Sequence, residues 1–295
     1  WAGLVFWNLL NVIVLFFGIK NFDFKSKRLL LFFWFFVFLE LVTSLQNSQC
    51  NILIIGLFLL AYKSFQKEQI AKAALFLSLT VFIKIFGIVL FIMFLLYPKK
   101  IKFISFSFLW FVLLALIPVF ITGWDELLWQ YQNWWDMLVH DKSISSAYSV
   151  KGWLELWFNV KPNNALVLGI GVVGLLLPLI NYKSFKEARF RALLLANTAI
   201  WVIIFNHKAE SPTYIIAEIG AYIWFVNSKR RWVEIVLISS CFLFTIVSPT
   251  DLFPSSWREG FVTPYAIKAF PCILIWIFIT FNMLRLKPVQ PISTV

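Results

Sequence analysis

The sequence predicts an all-α integral membrane protein, a multi-spanning helical bundle of about eleven spans forming a single transmembrane domain over residues 1–295. Three observations predict it. Hydrophobic residues make up 61% of the chain and aromatic residues 19%, with only 14% charged; a soluble domain is about half apolar and about a quarter charged. The mean hydropathy is +0.84. Long apolar runs alternate with short loops rich in Lys and Arg, the arrangement of membrane topology.

The apolar runs cover 2–19, 29–45, 51–62, 66–83, 85–97, 103–121, 165–181, 192–206, 213–227, 232–247 and 264–284. A spanning helix needs roughly 20 residues, fewer where it is short or ends in a cavity, and several of these runs are short. Charge orients them. Placing loops 20–28, 63–72, 98–102, 182–191, 228–231 and the tail after 284 on the cytoplasmic side puts 19 of the 26 basic residues there, with three acids, Asp23, Glu68 and Glu187. The opposite side and the spans hold the other seven basic residues and eleven of the 14 acids. That is the positive-inside asymmetry. The loops at both ends of 66–97 are basic, so this stretch crosses an even number of times and must break near its middle. The first run then enters from outside, and an N-terminal piece with at least one further span is expected to precede Trp1.

The net charge of +12 does not indicate a nucleic-acid partner, because its basic residues sit in loops between spans and form no patch on a soluble face. Cys50, Cys241 and Cys272 show neither a disulfide framework nor metal-ligand spacing and read as small buried hydrophobes. His140 and His207 alone do not define a metal site; no metal or cofactor is expected.

With this orientation the chemically interesting residues fall on the outer side. Lys84 stands in FLSLTVFIKIFGIVLFIMFLL, the one charge in that run. An unpaired ammonium in hydrocarbon costs at least ~2.5–3.5 kcal/mol, so it must reach water, an acid or an anionic ligand. Snorkelling to the interface is the plain alternative. Gln49 and Asn51 lie in the amide-rich connection between the second and third runs. In FNHKAESPTY, His207, Lys208 and Glu210 precede Ser211, read as a helix cap, and Pro212, suited to a first helical turn. Tyr214 and Glu218 share a helix face, with Glu218 read as satisfied by a neighbouring helix. Glu40, near the outer end of its span, is a candidate for the same cavity. Arg258 is the one arginine of the outer loops. Residues 122–164 form an outer-face loop in which Trp124, Trp129, Trp134 and Trp135 interleave with Asp125, Glu126 and Asp136. This spacing describes an amphipathic interfacial helix, able to act as a platform at a cavity mouth.

Three local patterns resemble glycosyltransferase family 87, multi-spanning enzymes with a GT-C type fold that include polyprenyl-phosphate-mannose-dependent mannosyltransferases. Ser48-Gln49-Cys50-Asn51 before ILIIGLFLLA is similar to the family's Gly-Gln-x-Asn ahead of an apolar span. Ala73 to Gly87 is similar to its small-residue-rich span ending in Lys-x-x-Pro. His207 to Tyr214 is similar to its Ser-Pro-x-Tyr segment opening a late span. Ser48 stands where the family has Gly, and Gly87 where it has Pro.

The resemblance implies an inverting hexosyltransferase of the bacterial plasma (inner) membrane, acting on the non-cytoplasmic face. Its expected partners are the bilayer, a polyprenyl-phosphate-linked sugar donor, with mannose as the sugar, and a glycolipid or glycan acceptor. It further implies that the main carboxylate lies in an outer loop ahead of Trp1, leaving His207 and Glu210 as the catalytic candidates here. Lys84, Lys208 and Arg258 are the donor-phosphate candidates, and Gln49, Asn51 and Tyr214 the sugar-binding ones. A lipid-saccharide transporter or flippase is the alternative from another class; it would more often show inverted repeats and broken helices at mid-membrane. A polysaccharide polymerase or ligase is the other.

Overall fold

In a computed structural model of the chain, residues 1–20, 22, 24, 26–140 and 148–286 are described. Asp23, Lys25, Asp141, Lys142 and Lys287, counted above in the charge tally, lie outside them. Most described residues are helical, with no strand among them. The protein is an all-helical integral membrane protein. Five helical stretches are long and apolar enough to cross a bilayer: Ala2–Lys20, Lys27–Gln46, Lys100–Thr122, Asn164–Lys186 and Ile267–Leu284. They coincide with five of the eleven apolar runs; the other six runs coincide with shorter helices.

The first three helices set the frame. α1 (Ala2–Lys20) and α3 (Asn51–Gln66) run parallel and pack directly together, and α2 (Lys27–Gln46) connects them in the opposite direction. Trp7 Nε1 donates to Ser48 O at 3.0 Å, and the Leu53 N–H donates to Asn11 Oδ1 at 2.9 Å. Further along, Gly18 and Gly56 let the backbones meet. A Cβ on Gly56 would stand 2.8 Å from the Leu15 nitrogen, an approach open only to a residue without a side chain.

The chain turns at Glu68 (φ 56°) into α4 (Ile70–Ile83), breaks at Lys84 (φ −146°, ψ 130°), and returns as a 3-10 segment, Ile85–Phe94. The expected break inside 66–97 is therefore present, with Lys84 at the reversal. The Gly87 N–H closes it onto Lys84 O at 2.8 Å. Gly87 presses on the end of α4: a Cβ there would lie 2.6 Å from the Thr80 carbonyl carbon. At the other end of this hairpin Lys99 pairs with Glu68, and their hydrogen bond holds the Glu68 carboxyl below its ordinary range.

α5 (Lys100–Leu116) and the one-turn α6 (Val119–Thr122) follow, with most of their apolar side chains exposed, as expected of a lipid-facing helix. The 122–164 segment contains two amphipathic helices, α7 (Trp124–His140) and α8 (Val150–Phe158). α9 (Asn164–Leu176) passes into a 3-10 stretch, Leu177–Lys186.

α10 (Ala188–Ile204) and α11 (Tyr214–Asn227) pack antiparallel. Almost every residue of α3, α10 and α11 is buried. These helices form the centre of the protein, and α1, α2, α5 with α6, and α9 with its 3-10 continuation surround it with exposed apolar faces. The remainder is less regular: α12 (Trp232–Ser240) continues as a π-helix, Cys241–Val247. A short α13 (Ser255–Trp257) and a second π turn, Arg258–Val262, follow. A 3-10 turn, Ile267–Ala269, leads into α14 (Phe270–Leu284).

The backbone contact between α1 and α3 gives a direct test. Gly56→Ala should destabilise the protein by about 1–3 kcal/mol through overpacking, seen as a lower thermal midpoint in detergent. An unchanged midpoint would show that the two helices do not meet at Gly56.

Candidate functional site

A cavity of about 1090 Å³ opens beside Lys84. One wall comes from the α4 hairpin and the end of α5, through Val81, Phe82, Phe86, Phe111, Ala115 and Pro118. α7 covers it: Leu127, Gln130, Tyr131, Trp134, Met137 and Leu138, three and four positions apart, all face the cavity. The Tyr131 hydroxyl donates to Ala115 O at 2.8 Å, tethering α7 to α5, and partial burial pushes its phenol above the ordinary value. Trp124, Trp129 and Trp135 point away and are exposed. The third wall is polar: Gln49, Asn206, His207, Lys208, Glu210 and Thr213.

The polar residues are connected. The Lys84 ammonium donates to Asn51 Oδ1 at 3.0 Å and to Gln49 Oε1 at 3.3 Å, and lies 5.7 Å from the Phe86 ring centroid. Gln49 Nε2 donates to Glu210 Oε2 at 3.5 Å. Asn51, fully buried, donates to Gln49 Oε1 and to Pro212 O at 3.3 and 3.1 Å. No salt bridge to Lys84 occurs among the described residues. Two of its three N–H donors are taken by neutral amide oxygens, which support the charge without cancelling it. An anion is the complement that this arrangement lacks.

Local backbone geometry explains the placement. Ser48, at φ 49°, turns the chain ahead of α3 and puts Gln49 and Asn51 beside Lys84. This is the left-handed conformation that glycine adopts without penalty, at the position where the quoted motif has glycine. After α10 ends, Asn206 Oδ1 accepts from the Lys208 N–H at 3.0 Å. The turn Ser211–Thr213 then leads into α11.

The profile of glycosyltransferase family 87 matches residues 1–205. The chain belongs to glycosyltransferase family 87. Gln49, Asn51 and Lys84 lie inside the matched region; His207, Lys208 and Glu210 lie just beyond it. No curated relative and no solved structure matches the chain.

Of the residues singled out in this family 87 chain, Gln49, Lys84, His207, Lys208 and Glu210 converge on the cavity, with Asn51 immediately behind its wall. Tyr214 does not face the cavity; it is buried, and its hydroxyl donates to Tyr148 O at 2.9 Å. Arg258 is also elsewhere, paired with Asp251. The expectation that it would serve this cavity is not met, because a nearer carboxylate takes its guanidinium.

Three smaller readings change. Ser211 does not cap a helix: its hydroxyl accepts from Lys268 Nζ at 2.8 Å, while the Thr213 hydroxyl donates to Glu210 O at 2.6 Å. Glu40 does not face the cavity; it is buried in an ion pair with Lys268 at 2.8 Å. Glu218 is buried with neither carboxyl oxygen hydrogen-bonded among the described residues. Sequence reasoning passed over Lys268, counted inside the last apolar run. The signal was the same as for Lys84, a lone ammonium in apolar surroundings.

Ser48→Gly should raise the thermal midpoint. Relief of left-handed strain, about 1–2 kcal/mol, outweighs the roughly 0.4–1 kcal/mol of added unfolded-chain freedom. A lowered midpoint would show that the serine side chain contributes more than its backbone conformation costs.

Proposed function

We propose that this family 87 glycosyltransferase moves a hexose, mannose, from a polyprenyl-phosphate donor to a hydroxyl of a glycolipid or glycan acceptor, with inversion, on the non-cytoplasmic face of a bacterial plasma membrane. The observation that supports this best is Lys84, held by two neutral amides and facing a cavity that is mainly apolar, with one polar wall. A lipid phosphate has that dual character. Its hydrocarbon suits the wall of Val81, Phe82, Phe111 and Pro118, and its phosphate suits Lys84, with Lys208 as a second cation.

The chemistry follows from the wall residues. The acceptor hydroxyl attacks the anomeric carbon from the face opposite the phosphate. Its proton passes to a carboxylate general base; Glu210 is the carboxylate among the described lining residues. The bond from the anomeric carbon to the phosphate oxygen breaks, and the departing phosphate gains negative charge. Lys84 stabilises that charge, and it is already in place before the reaction. His207, half-buried in the same wall, is placed to hydrogen-bond the phosphate or the acceptor. Gln49 orients the sugar between Lys84 and Glu210. Asn51 and Tyr214 act from behind the wall, through Lys84 and the 210–214 turn. Several runs that are short as helices, α4 among them, then end at this cavity and not at the far surface, which keeps about eleven crossings compatible with their lengths.

Lys84→Ala should lower transfer from polyprenyl-phosphate mannose by about 10²–10³-fold while the protein remains folded in detergent. Wild-type turnover in that variant would remove Lys84 from the site. Glu210→Gln should lower kcat by about 10²–10⁴-fold. If purified protein accepts only a nucleotide sugar, the donor assignment is wrong.

A further inference from the structure

We infer that the buried Glu40–Lys268 pair positions the Glu210 wall of the transfer site; this rests on the proposed function above. Lys268 lies in the turn Ile267–Ala269, with a side chain only 1% exposed. Its ammonium donates to Glu40 Oε2 and to Ser211 Oγ, each at 2.8 Å, and lies 5.3 Å from the Tyr214 ring centroid. Ser211 directly follows Glu210.

The same turn is held from its other side, where Asn51 binds Pro212 O and accepts from Lys84. Two lysines from distant parts of the chain therefore grip one turn, and Glu210 extends from it into the cavity. Lys84 works at the cavity, whereas Lys268 works wholly inside the bundle.

Two features argue that this pair serves more than stability. First, a buried ion pair is often no better than an apolar pair of the same size, and this one is incompletely satisfied: Glu40 Oε1 has no hydrogen-bond partner among the described residues, nor has either oxygen of Glu218. Second, the segment that delivers Lys268 is strained. Buried Ala266 is left-handed at φ 47°, and a π turn, Arg258–Val262, precedes it. Such backbone is costly and concentrates at functional sites. The Thr245 hydroxyl donates to Lys268 O at 2.9 Å and fixes the segment against the π continuation of α12.

The test uses the full chain in detergent and the double variant Glu40→Leu/Lys268→Met, which replaces the pair with apolar side chains. The expected result is an unchanged or higher thermal midpoint, a kcat lower by about 10²-fold, and a donor KM close to wild type because Lys84 is untouched. A stable double variant with wild-type kcat would overturn the inference. Ser211→Ala keeps the ion pair and removes only the link to the turn; the same kcat loss is expected, and wild-type kcat would overturn the inference even if the double variant does not fold.

A readout without turnover separates this from the donor assignment. In a Cys50→Ala/Glu210→Cys background, adding Ser211→Ala should change the rate at which a water-soluble thiol reagent labels position 210 by several-fold. An unchanged rate rejects positioning whether or not any polyprenyl-phosphate sugar is a donor. Failure of every such donor with wild-type protein, alongside a changed labelling rate, rejects the donor assignment and keeps the positioning role.

Discussion

A charged amine carried into an apolar bundle must be supplied with oxygen acceptors, because neither lipid nor packed side chains can replace its water. The cavity wall is organised around that requirement at Lys84. The hairpin of α4 and the 3-10 segment places the ammonium at its reversal. The turn at Ser48 brings up two amide oxygens to receive it. Asn51 then spends its amide N–H groups on Gln49 and Pro212, which brings the start of α11 against the start of α3. Three separate parts of the sequence are thus aligned by the partners of one side chain.

Lys268 meets the same requirement differently. Its charge is matched by Glu40, and its second hydrogen bond goes to Ser211. Matching by a carboxylate suits a lysine that positions other groups without binding a ligand itself. Support by neutral amides leaves Lys84 with a net positive field, as a residue that binds an anion needs. The two lysines are both lone ammoniums in apolar sequence, and their partners, not their burial alone, separate their roles. A variant that placed a carboxylate next to Lys84 would convert the first kind of site into the second.

Much of this was legible in the sequence, for physical reasons. Apolar run length and loop charge locate helices well, because water and lipid act on every residue of a span. The break inside 66–97 followed from charge on both flanks. Lys84 was visible because no other charge stands in its run, and Gln49 and Asn51 because four amides, Gln46, Asn47, Gln49 and Asn51, crowd one short connection. What was not legible depends on distant partners. Ser211 reads locally as a cap, yet its hydroxyl is claimed by a residue 57 positions away. Arg258 reads as a free outer cation, yet Asp251 takes it. Lys268 was hidden because TPYAIKAFPC resembles the start of an ordinary apolar helix. Only the fold reveals Glu40 beside it, 228 residues earlier in the chain. Run length alone does not show which helices are central: α3, α10 and α11 are held by glycine contacts and near-complete burial, which only the fold reveals.

The placement of Gln49 links the two halves of the polar wall. Its carbonyl oxygen accepts from Lys84 and from Asn51, while its N–H donates to Glu210. The amide therefore has its negative end toward the cation and its positive end toward the carboxylate. A direct ion pair between the two would neutralise Lys84 and occupy the carboxylate. On the proposed function, an amide between them keeps both groups oriented and both available: Lys84 for an anion, and Glu210 for a proton. A salt bridge in the same place would stabilise the wall more and leave it less able to act. The interposed amide is the arrangement expected where an acid–base group and an anion-binding group must work on one substrate within a single cavity.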